Sequence, residues 1–414
     1  MTSAHRWGEN FNNPFIPLRQ SNFRYYWLGM CVSLIGTWMQ SVAQPWLAYS
    51  LTHSALLLGL VGAMQYLPVL VLSLFAGVLV DRLPIKRLIM FTQAASLVIT
   101  LALAVLVYTG QIQYWHILVL ATLLGTVNSL DMPARQAFVI QLVDKEYLMN
   151  SIALNAAAFN GARVIGPAVA GVLMAWYGPG ICFLLNSVSF GAMLFSLALI
   201  KPLPIEARLP HEKHVFTGIK EGIDYVFRQG LLWEAVILIA IIGTFAMNNN
   251  VLIPVFAQEV LHQGEQGLGL LFAFTGIGSL LGSMLVAAMS RSGPQRRIIF
   301  GMPFLIAISL VLTSYTRDFW LTGFLLAATG LFFNLFSATV NTTLQINSRD
   351  DFRGRVMSIY SLVFVGSTPV GNLYAGSAAE FIGPQYGFAA CGLIVLFLLA
   401  IFHMYRLVPI RSGV

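Results

Sequence analysis

Charge is what this sequence has least of. Asp, Glu, Lys and Arg together make up 9% of its 414 residues, against 57% hydrophobic, whereas a soluble domain carries about a quarter charged residues. A water-soluble globule is excluded, and the chain belongs in lipid. Cysteine is also scarce: Cys31, Cys182 and Cys391 lie far apart inside apolar runs, so neither a disulfide framework nor metal-ligand spacing is present. There is no Gly-x-x-x-x-Gly-Lys-Ser/Thr phosphate loop, which argues against a primary ATP-driven pump. The seven histidines sit mostly in loops and support no Ser-His-Asp grouping. No enzymatic activity, cofactor or metal is therefore expected. No cleavable signal peptide is expected either, because the first two dozen residues are polar and mixed, ending in Arg24.

What is abundant is uninterrupted apolar sequence, with mean hydropathy +0.77. Runs of about twenty residues suit membrane helices; barrel strands would be near ten residues and alternate. The runs predict twelve spans, at about 25–50, 56–80, 88–108, 114–134, 147–176, 180–200, 231–258, 267–289, 298–315, 319–344, 355–380 and 386–406. The expected fold is thus all-α: twelve transmembrane helices in two pseudo-symmetric six-helix bundles. The domains follow as a cytoplasmic segment 1–24, a bundle 25–200, a linker 201–230, a second bundle 231–406 and a tail 407–414. Pro202, Pro204 and Pro210 mark the linker, and apolar residues at helical spacing from Phe216 to Phe227 predict an amphipathic helix at the membrane surface.

Gly77 to Arg87 fixes the orientation. Asp81, Arg82, Lys86 and Arg87 crowd a short turn broken by Pro84 and cannot lie in hydrocarbon. Clustered Lys and Arg hold such a loop in the cytoplasm. Alternating the spans from there puts every Lys and Arg on the cytoplasmic side except Arg317, outside, and Arg163, within a span. The net charge of +7 therefore serves orientation and anionic lipid, with no nucleic-acid partner. Both termini are expected in the cytoplasm of a bacterium, with the chain in its inner membrane.

The halves repeat. A shift of 205 residues brings Phe159 onto Phe364, Gly161 onto Gly366, Gly166 onto Gly371 and Gly171 onto Gly376, each segment following an acidic start, Asp144-Lys145-Glu146 or Asp350-Asp351. A shift of 209 brings Asp81-Arg82 onto Ser290-Arg291 and Arg87 onto Arg296. Duplicated halves around a central site are how secondary transporters alternate access.

The Asp81 turn resembles the loop motif of the major facilitator superfamily, with Pro84 where the family usually has glycine and Ile85 where it usually has a basic residue. Those departures leave the partner of Asp81 open. Gly161-Ala-Arg-Val-Ile-Gly166-Pro167-Ala-Val-Ala-Gly171 resembles the antiporter motif of the superfamily's exporters, with Ala170 for one glycine. With Gly36-Thr-Trp-Met-Gln40 and Gln44, the chain is similar to the bacterial drug/proton antiporter group that includes enterobactin and macrolide exporters.

That resemblance implies that spans one, four, seven and ten line a cavity, and polar residues fall on them. Span one has Ser33, Gly36, Thr37, Gln40 and Gln44; span four has Thr122, Gly125 and Asn128. Span seven has Asn248, Asn249 and Asn250, and span ten has Gly330, Asn334, Ser337, Asn341 and Gln345. The plainer alternative is hydrogen bonding that only glues helices together, at about 1 kcal/mol per bond. Arg163 lies about 24 Å from the start of its span, where it either coordinates an anionic substrate or is satisfied by backbone oxygens. Asp131 and Arg135 can pair on one helical face. With Asp81, Arg82, Lys86 and Arg87 they form a candidate cytoplasmic gate, or else a static ion pair. Gly161, Gly166, Pro167 and Gly171 would let helices slide. No Asp or Glu lies at mid-membrane, so Asp131 near the inner end is the candidate proton carrier, with the substrate or His403 as alternatives.

These observations point to a monomeric secondary transporter that exports small amphipathic molecules, with protons as the coupling ion. An importer or lysolipid transporter on the same scaffold, and a non-transporting receptor, are the rivals.

Overall fold

A computed structural model describes residues 15–201, 215–289 and 293–407. The linker prolines, Ser290-Arg291, residues 408–414 and the side chains of Asp81 and Arg82 lie outside the described residues. All the regular structure described is helical. The main elements are α1 (Ser21–Thr52), α2 (Ala55–Arg82), α3 (Ile85–Tyr108), α4 (Tyr114–Leu142), α5 (Leu148–Tyr177), α6 (Gly180–Leu199) and α7 (Val215–Arg228). They continue as α8 (Gly230–Phe245), α9 (Asn249–Glu259), α10 (Glu265–Met289), α11 (Arg296–Tyr315), α12 (Phe319–Ile346), α13 (Asp350–Phe381) and α14 (Gly387–Leu407).

Among the described residues, eleven helical stretches are long and apolar enough to cross a membrane, one fewer than the sequence reading expected. α1 is not among them: its 32 residues would cross a bilayer at 1.5 Å per residue, but Ser33, Thr37, Gln40, Ser41 and Gln44 dilute its hydropathy. A second difference lies in the expected seventh span, which is two helices, with a break over Ala246–Asn248 between α8 and α9. Three consecutive asparagines compete with the backbone for hydrogen bonds there and favour a helix start over a helix interior.

The helices fall into two compact units. One holds the chain through Gln44 together with Pro68–Glu212; the other holds Pro45–Leu67 together with the chain from Lys213. In the first, α3 packs on α4 and α6; in the second, α11 packs on α12 and α14, the corresponding elements of the repeat. The glycines repeat their roles as well. A Cβ on Gly166 would meet Trp38, Ile35 and Met39 of α1, and one on Gly371 would meet Thr244 and Asn248 around the α8 end. A missing side chain is what lets these backbones approach.

The amphipathic helix predicted in the linker forms as α7 and packs on α13. Tyr225 stacks on Phe352 at 4.4 Å, Glu221 pairs with Arg355 at 2.6 Å, and Gly222 admits Arg355 and Ile359. Its apolar face is thereby covered in part by protein.

Candidate functional site

The polar stripe of α1 turns toward α6. Gly36 leaves room for Asn186 and Ser189, and Asn186 Nδ2 donates to Gln40 Oε1 at 2.6 Å. Gln40 Nε2 donates in turn to Gln44 Oε1 at 3.1 Å, and all three amides are buried. These bonds join two helices in the manner of the plainer alternative. Thr37 on the same helix is exposed, and Trp38 beside it is half-buried.

The other asparagines differ among themselves. Asn248 is buried and its Nδ2 donates to Thr244 O at 2.9 Å, closing the end of α8. Its Oδ1 is buried without a hydrogen-bond partner among the described residues. Asn334 accepts from Ser283 of α10 at 3.2 Å, and Asn341 accepts from Gln345 at 2.6 Å. Asn128 and Asn249 are half-buried.

Asp131 accepts three side-chain bonds. Its Oδ2 accepts from Arg135 Nε at 2.6 Å, and its Oδ1 accepts from Thr92 Oγ1 at 2.5 Å and Gln93 Nε2 at 2.9 Å. It thus ties α4 to α3 while neutralising its own helix neighbour, and Arg135 also reaches the Tyr26 hydroxyl. The expected pair forms across Pro133. Lys86 goes elsewhere: its Nζ donates to Ile200 O at 2.8 Å, satisfying a carbonyl left unpaired at the α6 terminus. Arg87 is exposed. On α5, Gly161 has open space around it, while Gly166, Pro167 and Gly171 are buried.

Arg163 lies near the middle of α5, about 20 Å from either end. Its guanidinium carbon sits 5.6 Å from the Trp38 ring centre, and Trp38 meets Phe159 edge to face at 5.6 Å.

A further arrangement occupies the opposite end of the spans from Pro84. Glu380 at the end of α13 accepts from the amides of Ala55 (2.7 Å) and Leu56 (3.3 Å) and from Ser54 Oγ (3.1 Å). Ser54 Oγ accepts in its turn from Leu57 N at 3.2 Å. The free N–H groups of the first α2 turn are thus answered by one carboxylate and one hydroxyl, and the helix dipole favours that negative charge. Tyr49 donates to Glu259 at 2.9 Å, and Tyr49, His53, Glu259 and Glu380 line a cavity of about 400 Å³. Below it, Gly59, Gly62 and Gly376 let α2 and α13 touch backbone to backbone around Asn372.

Hydrogen bonds to a charged group contribute about 1.5–3 kcal/mol each when desolvated, and less at this half-exposed end. Glu380→Ala is expected to open this end roughly tenfold more often, since about 1.4 kcal/mol is tenfold. Spin labels at Leu51 and Ile382, which are 42% and 59% exposed, should then report a longer distance. An unchanged distribution would mean that the glycine contacts alone hold the end.

Compared with known proteins, residues 12–413 match the family described as transmembrane secretion effector. The chain belongs to that family. It is a major facilitator transporter and a multi-pass membrane protein that handles small molecules. The chain is 24% identical to the staphyloferrin A transporter of Staphylococcus aureus over 92% of its own length and 95% of the relative's. It is 27% identical to the multidrug efflux pump Tap of Mycolicibacterium fortuitum (88% and 90% covered). Macrolide efflux protein A of Streptococcus pyogenes is 21% identical (90% and 93%). Among solved structures, the nucleoside transporter NupG superposes with TM-score 0.75 at 10% identity, covering 94% of this chain and 99% of NupG. A bacterial homologue of the lysosomal transporter Spinster superposes with TM-score 0.72 at 12% identity (94% and 97%); these two likenesses establish the fold alone.

Glu259 and Glu380 stand at the ends of the spans expected at 231–258 and 355–380, and the sequence reading gave them no task. One signal was available for the α2 cap: Ser54 stands immediately before an apolar run, an N-cap position. That the run's first amides would be met by a carboxylate more than three hundred residues away had no local signature.

Proposed function

We propose that this transporter exports small amphipathic molecules from a bacterial cytoplasm by alternating access, exchanging them for protons. Its twelve spans, counting α1 and taking α8 with α9, form two pseudo-symmetric bundles in the inner membrane, both termini are cytoplasmic, and the working unit is a monomer. The observation that carries this reading is the match to a secretion family over nearly the whole chain, with relatives named as efflux pumps. The basic turn at Lys86 and Arg87 supports the orientation.

In this reading the Glu380 cap and the Tyr49–Glu259 bond close the outer side. Asp81, Arg82, Lys86, Arg87, Asp131 and Arg135 control the inner side, with Asp131 carrying the proton. Gly161, Gly166, Pro167 and Gly171 give the helices room to shift. Gln40, Gln44, Asn128, Arg163, Asn248, Asn249, Asn334 and Asn341 border the substrate path, those bonded to neighbouring helices shaping its walls.

Inverted vesicles from an overexpressing strain test the direction. An imposed proton gradient, acid inside, is expected to drive at least one of a panel of small amphipathic probes (ethidium, erythromycin and 1-naphthoate) into them several-fold above vector controls, and a protonophore should collapse the accumulation. Accumulation in right-side-out vesicles alone would overturn export in favour of import.

A further inference from the structure

We propose that Arg163 and Trp38 form an anion subsite of this transporter, selecting substrates that join a carboxylate to a flat apolar group; the proposal deepens the exporter reading and rests on it. A guanidinium is always charged and presents five donors, and a charge held inside a membrane span needs an answering group. Among the described residues no carboxylate, carbonyl or amide oxygen accepts from Arg163, and its guanidinium lies over the face of Trp38. Among the described residues of the same unit, Asp131 and Asp144 are engaged elsewhere. Asp131 is held by Arg135, Thr92 and Gln93, and Asp144 accepts from Gln20 at the end of the spans.

One ring face answers only part of a desolvated charge and leaves the N–H donors unused. Snorkelling is excluded, since about 20 Å of helix separates Arg163 from either end. The site is also rigid. Gly166, one turn along α5, brings the backbone against Trp38, Ile35 and Met39, so the arginine and the indole are presented by two helices in direct contact. Beside them Phe159, 45% exposed, meets the indole edge to face and offers an apolar wall. Two parallel N–H donors match a carboxylate in bidentate fashion, and the aromatic pair takes a flat hydrocarbon.

The full chain, purified into phosphatidylcholine nanodiscs, tests this by equilibrium dialysis with three probes of one shape. They are 1-naphthoate, the neutral 1-naphthalenemethanol and the cation of 1-naphthylmethylamine, each corrected for empty discs. 1-Naphthoate is expected to bind at least tenfold tighter than the alcohol, with the cation weakest. Arg163→Gln should erase that ranking and Arg163→Lys should keep part of it. Equal binding of the three probes by the parent protein overturns the proposal, whether or not the glutamine variant folds, as does undiminished naphthoate binding by a folded Arg163→Gln. Discs containing phosphatidylglycerol separate the two sources of an anion. If that lipid displaces naphthoate tenfold, the guanidinium serves a lipid headgroup and the substrate assignment falls; if binding is unchanged, the assignment stands. The vesicle assay reads the parent reading separately. Ethidium export without anion preference removes only the subsite, and anion preference without any export removes only the exporter.

Discussion

Gly278→Val is expected to leave no folded protein in the membrane. The Cα of Gly278 on α10 lies against the backbone of α12, and a Cβ there would overlap the carbonyl of Ala327. The obstructing atoms are the carbonyl oxygen, carbonyl carbon and Cα of one residue, so no side-chain rotation relieves the clash. Helices in lipid associate through close backbone approach instead of a hydrophobic driving force, and α10 with α12 is the most extensive helix pair of its unit. Forcing them apart would also lengthen the Ser279 Oγ to Gly330 O bond, already 3.4 Å. Fluorescence-detected size exclusion in mild detergent should show the monodisperse peak lost. Gly301→Ala is the control: nothing approaches that position within 4 Å, and alanine in a helix is favoured by about 1 kcal/mol, so its peak should be unchanged.

Asp131→Asn should abolish gradient-driven transport while leaving substrate exchange across the same vesicles in place. An amide in that position can still accept from Thr92 and Gln93, but it carries neither the charge that answers Arg135 nor a proton to exchange. Breaking one side of a buried pair costs about 3–5 kcal/mol because the remaining charge is stranded. A fall in melting temperature of several degrees should accompany the transport loss. Adding Arg135→Gln separates the two effects. It removes the stranded charge and should recover most of the melting temperature, while driven transport stays absent. Recovery of driven transport in the double variant would make Asp131 a structural clamp and move the proton to another group.

The fold was legible where a single stretch of chain decides its own state. Hydrocarbon excludes charge, so the ends of α2, α3 and α13 fall near the charged turns that predicted them, and the linker helix follows from its spacing of apolar residues. The half-repeat predicted that Gly166 and Gly371 would do the same work, and each admits a neighbouring backbone within its own unit. What the sequence withheld was the direction of polar groups. A stripe such as Gly36, Gln40 and Gln44 reads the same whether it meets water or another helix, and only the position of Asn186 decides between them. That Lys86 donates to the Ile200 carbonyl was not legible either, because a carbonyl has no letter in the sequence. The break before α9 was visible as three asparagines, but a run of apolar residues on both sides outweighed them.

Pro45 and Pro68 stand at the two points where the chain leaves one unit for the other and returns, inside α1 and α2. A proline has no N–H to give the carbonyl four residues earlier, so Ser41 and Met64 mark weak rungs in otherwise continuous rods. The hairpin tip between them is bonded through Ser54 and Ala55 to Glu380 and packs through Gly59 and Gly62 on Asn372. With its weak rung, each helix is loosened at its own proline, one of the few places where a membrane helix kinks sharply.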